Sequence, residues 1–177
     1  MNPIIWIMGP TSSGKTTLAT GLLKKIRGAQ IKSITFDGDE VRDFFGKDIG
    51  FEPADRLRVV STIVHLSNKA REAGLVVIVS ALTANQDARD YILEQLNEYL
   101  IVYVDCSIKA CAKRDPKGLY ALAENGAIDS LIGFNNDYLP PVNPDIVIQT
   151  ESETKEESIN CLIEYLKKCH PVIERNI

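Results

Sequence analysis

The sequence lacks the features that mark membrane-bound, secreted and nucleic-acid-binding proteins. No apolar run approaches the roughly 20 residues that a helix needs to span a bilayer, and the first residues show no charged-then-apolar signal pattern. The net charge is −4 over 177 residues, which leaves no general basic surface for nucleic acid. We therefore expect a protein that binds neither membrane nor nucleic acid and whose cationic patches are local.

Cysteine and histidine are also scarce. The four cysteines are Cys106, Cys111, Cys161 and Cys169. Their spacing contains no C-x-x-C pair, so it matches neither a zinc site nor a disulfide framework and favours reduced thiols in a cytoplasmic protein. The two histidines, His65 and His170, belong to no catalytic pattern, and we assign them no role.

Apolar runs rich in β-branched residues alternate with helical patterns along the chain. Strands are predicted at residues 4–8, 33–36, 75–82, 100–105 and 145–149, and helices at 56–73, 87–99 and 154–168. This alternation predicts an α/β fold, with a five-stranded, mainly parallel sheet flanked by helices in a single domain over 1–177. The less regular region 114–144 is long enough to form a lid over a site.

The most informative motif is GPTSSGKT at residues 9–16, between a predicted strand and a helical pattern. It matches G-x-x-x-x-G-K-[ST], a loop whose backbone N–H groups surround the phosphates of a nucleotide. Lys15 would reach the β- and γ-phosphates, and the Thr16 hydroxyl would bind Mg²⁺. The alternative is a chance glycine- and serine-rich turn, but the flanking strand and helix argue against it. The predicted nucleotide-binding residues are Gly9, Pro10, Thr11, Ser12, Ser13, Gly14, Lys15, Thr16 and Thr17.

Charged residues follow the second predicted strand in the segment FDGDEVR, residues 36–42. Ligands of open α/β sheets bind at the carboxyl ends of strands, so Asp37, Asp39 and Arg42 are expected to face the phosphate loop. Asp39 is the candidate to hold Mg²⁺ or to accept the proton of an attacking hydroxyl, with Asp37 as a helper. Arg42 would hold an anionic part of the acceptor. The alternative role for an aspartate here is a helix cap, which is compatible with catalysis.

Three further cations are candidates for phosphate contacts. Arg56 stands in the first turn of a predicted helix, where a cation opposes the helix dipole, and this favours anion binding over an ordinary helix-end position. Arg114 and Lys117 begin the lid in the run KRDPKGLY. They could close over the transferring phosphoryl group. The alternative is a solvated charge run.

Together these segments resemble the adenylylsulfate kinase family, ATP-dependent kinases that phosphorylate the ribose 3′-hydroxyl of adenosine 5′-phosphosulfate. The resemblance runs from Ile4 to about Thr150 and rests on GPTSSGKTT, FDGDEVR, KDIGFEPADR, AGLVVIVS, RDPKGLY and NNDYLPPVNPD. It implies a P-loop kinase fold, MgATP as donor and commonly a homodimer. The catalytic residues that we predict are Lys15, Asp39, Arg114 and Lys117, with Thr16 and Asp39 at the metal. The acceptor-binding residues that we predict are Asp37, Arg42, Phe51, Arg56, Leu82, Thr83, Lys117, Gly118, Leu119 and Leu131.

The sequence departs from this family on the acceptor side. Thr83 and Gln86 stand where the family's S-F-I-S-P-[YFH]-R has its second serine and its arginine. Leu131 replaces the aromatic residue of G-F-T-G, whose ring stacks on the acceptor base, and Val59 replaces an asparagine that binds the acceptor. Loss of a stacked ring costs on the order of 1–3 kcal/mol per base.

Two acceptors therefore stay open. Adenosine 5′-phosphosulfate is the leading one, and the alternative is a different nucleotide such as cytidine diphosphoramidate, phosphorylated by the same chemistry. A nucleotide-dependent switch or an inactive paralogue is a further alternative. The chain has no N-K-x-D base-reading motif, and the intact phosphate loop, Asp39 and lid cations argue for turnover.

Overall fold

Five parallel strands form the centre of the molecule in the computed structural model, which describes residues 2–175. The strands are β1 (Ile4–Met8), β2 (Ser33–Asp37), β3 (Val76–Ser80), β4 (Tyr99–Asp105) and β5 (Ile146–Gln149). They lie side by side in the order β2-β3-β1-β4-β5, and every strand pair is parallel. This confirms the predicted sheet.

Helices connect the strands and cover both faces of the sheet. They are α1 (Lys15–Gly28), α2 (Gly38–Phe44), α3 (Pro53–Glu72), α4 (Gln86–Gln95), α5 (Ile108–Arg114), α6 (Leu119–Glu124), α7 (Lys155–Cys169) and α8 (Pro171–Glu174). A short 3₁₀ helix, Gly46–Asp48, stands between α2 and α3. Among the described residues, no helix is long and apolar enough to cross a membrane.

The central strand β1 is completely buried because apolar layers lie against both of its faces. Ile5 and Ile7 belong to the core that packs on α1 and α7, whereas Ile4, Trp6 and Met8 belong to the core under α3 and α4. Side chains alternate between the two faces of a strand, so a strand covered on both sides is apolar at every position. The unbroken apolar run that predicted this strand has this origin.

The helix predicted at 87–99 is wrong at its carboxyl end. Helix α4 ends at Gln95, and Tyr99 is already the first residue of β4. Leu96 leaves the helical conformation and is buried against the core under α3, and Glu98 turns the chain with a φ of +57°. The apolar residues that seemed to continue the helix therefore belong to the following turn and strand.

The lid contains little regular structure after α6. Helix α5 ends where the lid begins, α6 occupies Leu119–Glu124, and the chain then runs without a further helix to β5, with one isolated bridge between Ile132 and Asn136. Gly118 has a φ of +67° and turns the chain into α6. The long irregular segment therefore lies between two rigid elements.

Candidate active site

A cavity of about 1060 Å³ opens along the carboxyl ends of the strands. Most of the predicted site residues line it: Thr11, Ser12, Gly14, Lys15, Thr16, Thr17, Asp37, Asp39, Arg42, Phe51, Arg56, Leu82, Thr83, Arg114, Lys117, Leu119 and Leu131. Gly9, Pro10, Ser13 and Gly118 are not part of this lining. Residues that stand some 120 positions apart in the sequence thus meet in one space.

The phosphate loop has the close packing that its glycines predict. A Cβ on Gly9 would stand 2.6 Å from the backbone oxygen of Val104, so only glycine lets the loop approach β4 this closely. Gly14 has a φ of +103° at the start of α1. The hydroxyls of Ser12 and Ser13 are buried without a hydrogen-bond partner in the described part of the chain. Unpaired polar groups beside a helix N-terminus suit a phosphate ligand.

Lys15 is turned back onto its own loop. Its Nζ donates to the backbone oxygen of Pro10 at 2.6 Å. Burial lowers the pKa of Lys15 to about 8, although the nearby carboxylates of Asp39 and Asp37 act in the opposite direction. The ammonium group is poorly hydrated in this position, so an incoming phosphate would replace a weak partner with a strong one.

Hard oxygen ligands meet beside the first turn of α1. The Thr16 hydroxyl donates to Asp37 Oδ2 at 2.9 Å and lies 3.3 Å from the hydroxyl of Ser80. This set fits Mg²⁺, which binds through a few protein oxygens, water and substrate phosphates rather than through a complete protein cage. Within residues 2–175, no group of three or more acidic, cysteine or histidine side chains could hold a metal ion by itself.

The structure brings Asp37, rather than Asp39, to Thr16. Asp37 also caps α2, because its Oδ1 accepts from the backbone N–H of Asp39 at 2.9 Å. Asp39 points to the lid and forms an ion pair with Lys117 Nζ. The two aspartates of the DGD segment therefore separate into one that contacts Thr16 and one that contacts Lys117.

Two arginines flank the ring of Phe51 on the opposite side of the cavity. The Cζ of Arg42 lies 4.8 Å from the ring centroid and the Cζ of Arg56 lies 5.8 Å from it. Arg42 donates to the backbone oxygen of Gly50, and Arg56 Nε donates to that of Phe51 at 2.8 Å. Burial lowers the pKa of both guanidinium groups, and for Arg56 the charge of Arg42 contributes. Two cations held this close form a site for an anion.

Residues 82–85 line the part of the cavity in which the acceptor is expected to bind. We call this segment the acceptor wall. Thr83 has a left-handed φ of +46°, which is uncommon for a β-branched residue. Its Oγ1 accepts a hydrogen bond from Trp6 Nε1 at 3.0 Å and lies 3.4 Å from the oxygen of Ala81. The side chain of Leu131 packs with Tyr120 in a small apolar core. At the position of Leu131 the family has an aromatic residue.

Arg114 does not lie beside Asp39. It donates from NH1 to the backbone oxygen of Ser13 at 3.2 Å and to Thr150 Oγ1 at 3.3 Å, on the outer side of the phosphate loop. Sequence reasoning missed the residues around it that also line the cavity: Thr150, Glu153, Lys155 and Ser158. Thr150 follows β5 directly. Because ligands of open α/β sheets bind at the carboxyl ends of strands, Thr150 could have been predicted as a site residue from the sequence.

Comparison with known proteins agrees with this geometry. The family model described as adenylylsulphate kinase matches residues 1–149. A curated adenylyl-sulfate kinase of Oceanobacillus iheyensis is 37% identical over 93% of this chain and 83% of its own length. The chain belongs to the adenylylsulphate kinase family. A second member, from Staphylococcus haemolyticus, is 38% identical over the same shares of the two chains.

Solved structures of this family agree with the fold. A Mycobacterium tuberculosis adenylylsulphate kinase, solved in complex with AMPPNP and APS, superposes with a TM-score of 0.86 at 28% identity over 94% of this chain and 98% of that chain. The predicted P-loop kinase fold is therefore confirmed, and so is the prediction of an enzyme that transfers phosphate to a hydroxyl group. Enzymes of this family use ATP with Mg²⁺.

Proposed function

We propose that this chain transfers the γ-phosphoryl group of ATP to the ribose 3′-hydroxyl of a small nucleotide, with adenosine 5′-phosphosulfate as the leading acceptor. One observation carries the proposal: a single cavity holds a phosphate loop with a half-buried lysine at one end and the Arg42–Phe51–Arg56 cluster at the other. The first suits the phosphates of a donor, and the second suits an anionic, aromatic acceptor.

The donor half consists of residues 9–17 with Arg114 outside the loop. Lys15 leaves Pro10 to bind the β- and γ-phosphates. Thr16 and Asp37 would hold Mg²⁺, which would supply positive charge to neutralise the transferred group. Arg114 lies where the rest of the donor nucleotide extends from the loop, because it contacts Ser13 and Thr150 rather than the residues of the acceptor.

The acceptor half holds the hydroxyl that is phosphorylated. Arg42 and Arg56 bind the acceptor's anionic end, and Phe51 offers its ring to the base. Asp39 orients the hydroxyl and accepts its proton, and Lys117 follows the transferring phosphoryl group. Leu82, Thr83, Leu119 and Leu131 shape the space for the acceptor, and Gly118 lets the lid turn over it. No covalent intermediate is needed, since the Thr83 hydroxyl already bonds Trp6.

A second acceptor is favoured by one observation. Leu131 presents an aliphatic side chain, and Val59 lines the same cavity, at positions where the family offers an aromatic ring and an amide. A cytidine nucleotide such as cytidine diphosphoramidate would lose less than a purine from the missing ring, because its base offers a smaller surface for stacking.

A coupled assay of ADP release tests both acceptors. The purified chain is supplied with MgATP and with adenosine 5′-phosphosulfate, cytidine diphosphoramidate or a panel of other nucleotides. Turnover on adenosine 5′-phosphosulfate supports the leading proposal. Turnover on a cytidine nucleotide alone replaces the acceptor and keeps the chemistry. If ATP binds and no nucleotide in the panel is phosphorylated, a switch or an inactive paralogue takes the place of the kinase.

We also propose that the enzyme is a homodimer in the cytoplasm. The dimer is what the family resemblance implies, and the spacing of the cysteines supports a reducing compartment. Light scattering coupled to size exclusion gives the mass in solution, and a mass close to the 19.6 kDa of one chain would contradict the dimer.

A further inference from the structure

A buried arginine lies directly behind the acceptor wall. Arg89, on α4, is only 5% exposed. Its Nε donates to the backbone oxygen of Thr83 at 2.9 Å, its NH1 to that of Pro140 at 3.3 Å, and its NH2 to that of Leu139. The guanidinium group therefore joins Thr83 to a segment that begins 56 residues later in the chain, at Leu139.

This arrangement is unusual because the partners are neutral. Of the salt bridges within residues 2–175, none involves Arg89. A buried cation is costly unless its N–H groups are bonded, and removing it would leave its carbonyl partners without a donor. The planar fork of arginine offers five donors in fixed directions, which lysine cannot reproduce. Arg89 uses this geometry to bond three separate carbonyl groups.

An aromatic stack completes the site around Arg89. Its Cζ lies 5.5 Å from the ring centroid of Tyr138, and that ring stacks on Tyr103 of β4 with centroids 6.3 Å apart and planes 5° from parallel. The end of the lid is thus fixed to the sheet through Tyr138 and to α4 through Arg89. Arg89 and Tyr103 are buried, whereas their partners in the lid are half-buried or exposed.

Two other contacts of the lid are more exposed or longer. Lys117 pairs with Asp39 through side chains that are 52% and 68% exposed. Arg56 NH2 lies 3.4 Å from the oxygen of Ser130, at the long limit of a hydrogen bond. Exposed ion pairs and long hydrogen bonds contribute little and break readily. We therefore expect these two contacts to break before those of Arg89, whose guanidinium group is buried and makes three hydrogen bonds.

We propose that Arg89 is a positioning residue that joins the acceptor wall to the fixed end of the lid, so that closure of the lid and the shape of the acceptor site are set by one buried guanidinium group. The inference rests on the proposed function. Arg89 touches neither substrate. It acts through the carbonyl of Thr83, which fixes the strained turn of the wall, and through those of Leu139 and Pro140, which fix the point about which the lid moves.

Steady-state kinetics give the first test, with Arg89→Lys as the variant and Glu94→Gln, an exposed residue of the same helix, as the control. We expect Arg89→Lys to raise the KM of the acceptor about tenfold, the effect of losing roughly one hydrogen bond, while the KM of ATP and the values of the control stay within about twofold of wild type. A simple loss of folded protein would lower kcat and leave both KM values unchanged. Equal changes in the two KM values, or no change, would overturn the proposal.

Hydrogen exchange gives a second test that does not depend on turnover. In Arg89→Lys we expect faster amide exchange both in peptides that cover 82–86 and in peptides that cover 138–143. The exchange rate of residues 10–20 should stay as in wild type. Tyr138→Leu, which keeps Arg89 but removes the ring beneath it, should loosen 138–143 more than 82–86. Exchange that increases in only one segment of Arg89→Lys, or in neither, contradicts the proposal. If wild type phosphorylates no acceptor, the proposed function fails, and the exchange result still decides the role of Arg89.

Discussion

At Lys15, burial and phosphate binding act on the same ammonium group in opposite directions. Burial lowers its pKa to about 8 in the absence of nucleotide, and the negative charge of a bound phosphate raises it again. Between pH 8 and the ordinary value of 10.5, the unfolded chain holds more protons on this residue than the folded chain. The contribution of Lys15 to the free energy of unfolding therefore increases with pH over that range.

The binding of ATP should respond to pH in the opposite sense. Above pH 8, wild type must take up a proton on Lys15 to bind the phosphates, so we expect the Kd of ATP to rise by up to about tenfold per pH unit. Calorimetry in two buffers with different ionisation enthalpies measures the proton uptake. Lys15→Arg keeps its charge over this range and serves as the control. A wild-type profile that matches the control between pH 7 and 9.5 would show that Lys15 does not titrate there.

Lys15→Ala should abolish turnover with any acceptor.

The two aspartates of the DGD segment should differ in their response to Mg²⁺. Asp37 contacts Thr16 and Asp39 contacts Lys117. Asp37→Asn should therefore raise the Mg²⁺ concentration needed for half-maximal rate by about tenfold, since a metal ligand or its orienting partner typically accounts for 10- to 100-fold. Asp39→Asn should lower kcat by about 10²- to 10⁴-fold, the range of general-base catalysis, with little change in that Mg²⁺ concentration. The opposite pattern would return the metal role to Asp39.

At this scale the sequence predicts contiguous motifs well and distant contacts poorly. The phosphate loop and Asp37–Asp39 could be placed because each follows a strand, and the ends of parallel strands share one edge. Arg114 reaches Thr150 across 36 positions, so its place on the outer side of the loop depends on where β5 ends. The burial of Arg89 could not be predicted, because an arginine in a helix is usually a surface charge and its contacts with the lid depend on the tertiary fold.

Helices α1 and α7 approach each other closely at Gly21, where a larger side chain would displace Ile159. A Cβ on Gly21 would stand 2.1 Å from Cδ1 and 2.8 Å from Cγ1 of Ile159, which is itself buried. Gly28 lies on the same helix, and nothing within 4 Å would meet its Cβ. The sequence predicts both helices, but their close approach is a tertiary feature that the pattern of apolar residues does not reveal.

Alanine at these two positions should have opposite effects on stability. Gly28→Ala should stabilise the protein by up to about 1 kcal/mol through helix propensity. Gly21→Ala should destabilise it by about 1–3 kcal/mol, because overpacking exceeds that gain. Urea unfolding monitored by circular dichroism measures both. Ile159→Ala removes the two atoms that clash, so Gly21→Ala should cost less stability in an Ile159→Ala background than in wild type; an equal cost in the two backgrounds would contradict this packing.

Over the whole molecule, the donor and acceptor halves of the cavity are built from different segments. The donor half uses residues that follow β1 and β5, and the acceptor half uses α2, the start of α3 and the loop after β3. The lid contacts both, through Lys117 at Asp39 and Tyr120 at the backbone oxygen of Thr11, and Asp37 joins Thr16 to the start of α2. A change confined to the acceptor half should therefore leave ATP binding intact.

Two arginines of α3 offer a matched test of this separation. Arg56 lies in the cavity, whereas Arg58 is exposed and stands over the ring of Phe45, 4.9 Å from its centroid. Arg56→Gln should raise the KM of the acceptor about tenfold or more, because hydrogen bonds to charged groups contribute about 1.5–3 kcal/mol, with the KM of ATP unchanged. Arg58→Gln should leave both constants as in wild type. An effect of Arg56→Gln on ATP alone would place this residue in the other half.

The hydrogen bond between Trp6 and Thr83 gives the enzyme a natural optical probe. Trp6 is the single tryptophan of the chain and is fully buried, and its Nε1 bonds the acceptor wall at 3.0 Å. Indole emission depends on the polarity and hydrogen bonding around the ring. The intrinsic fluorescence of the unlabelled protein should therefore change when the acceptor wall adjusts to its nucleotide, and it should report the filling of one half of the cavity in real time.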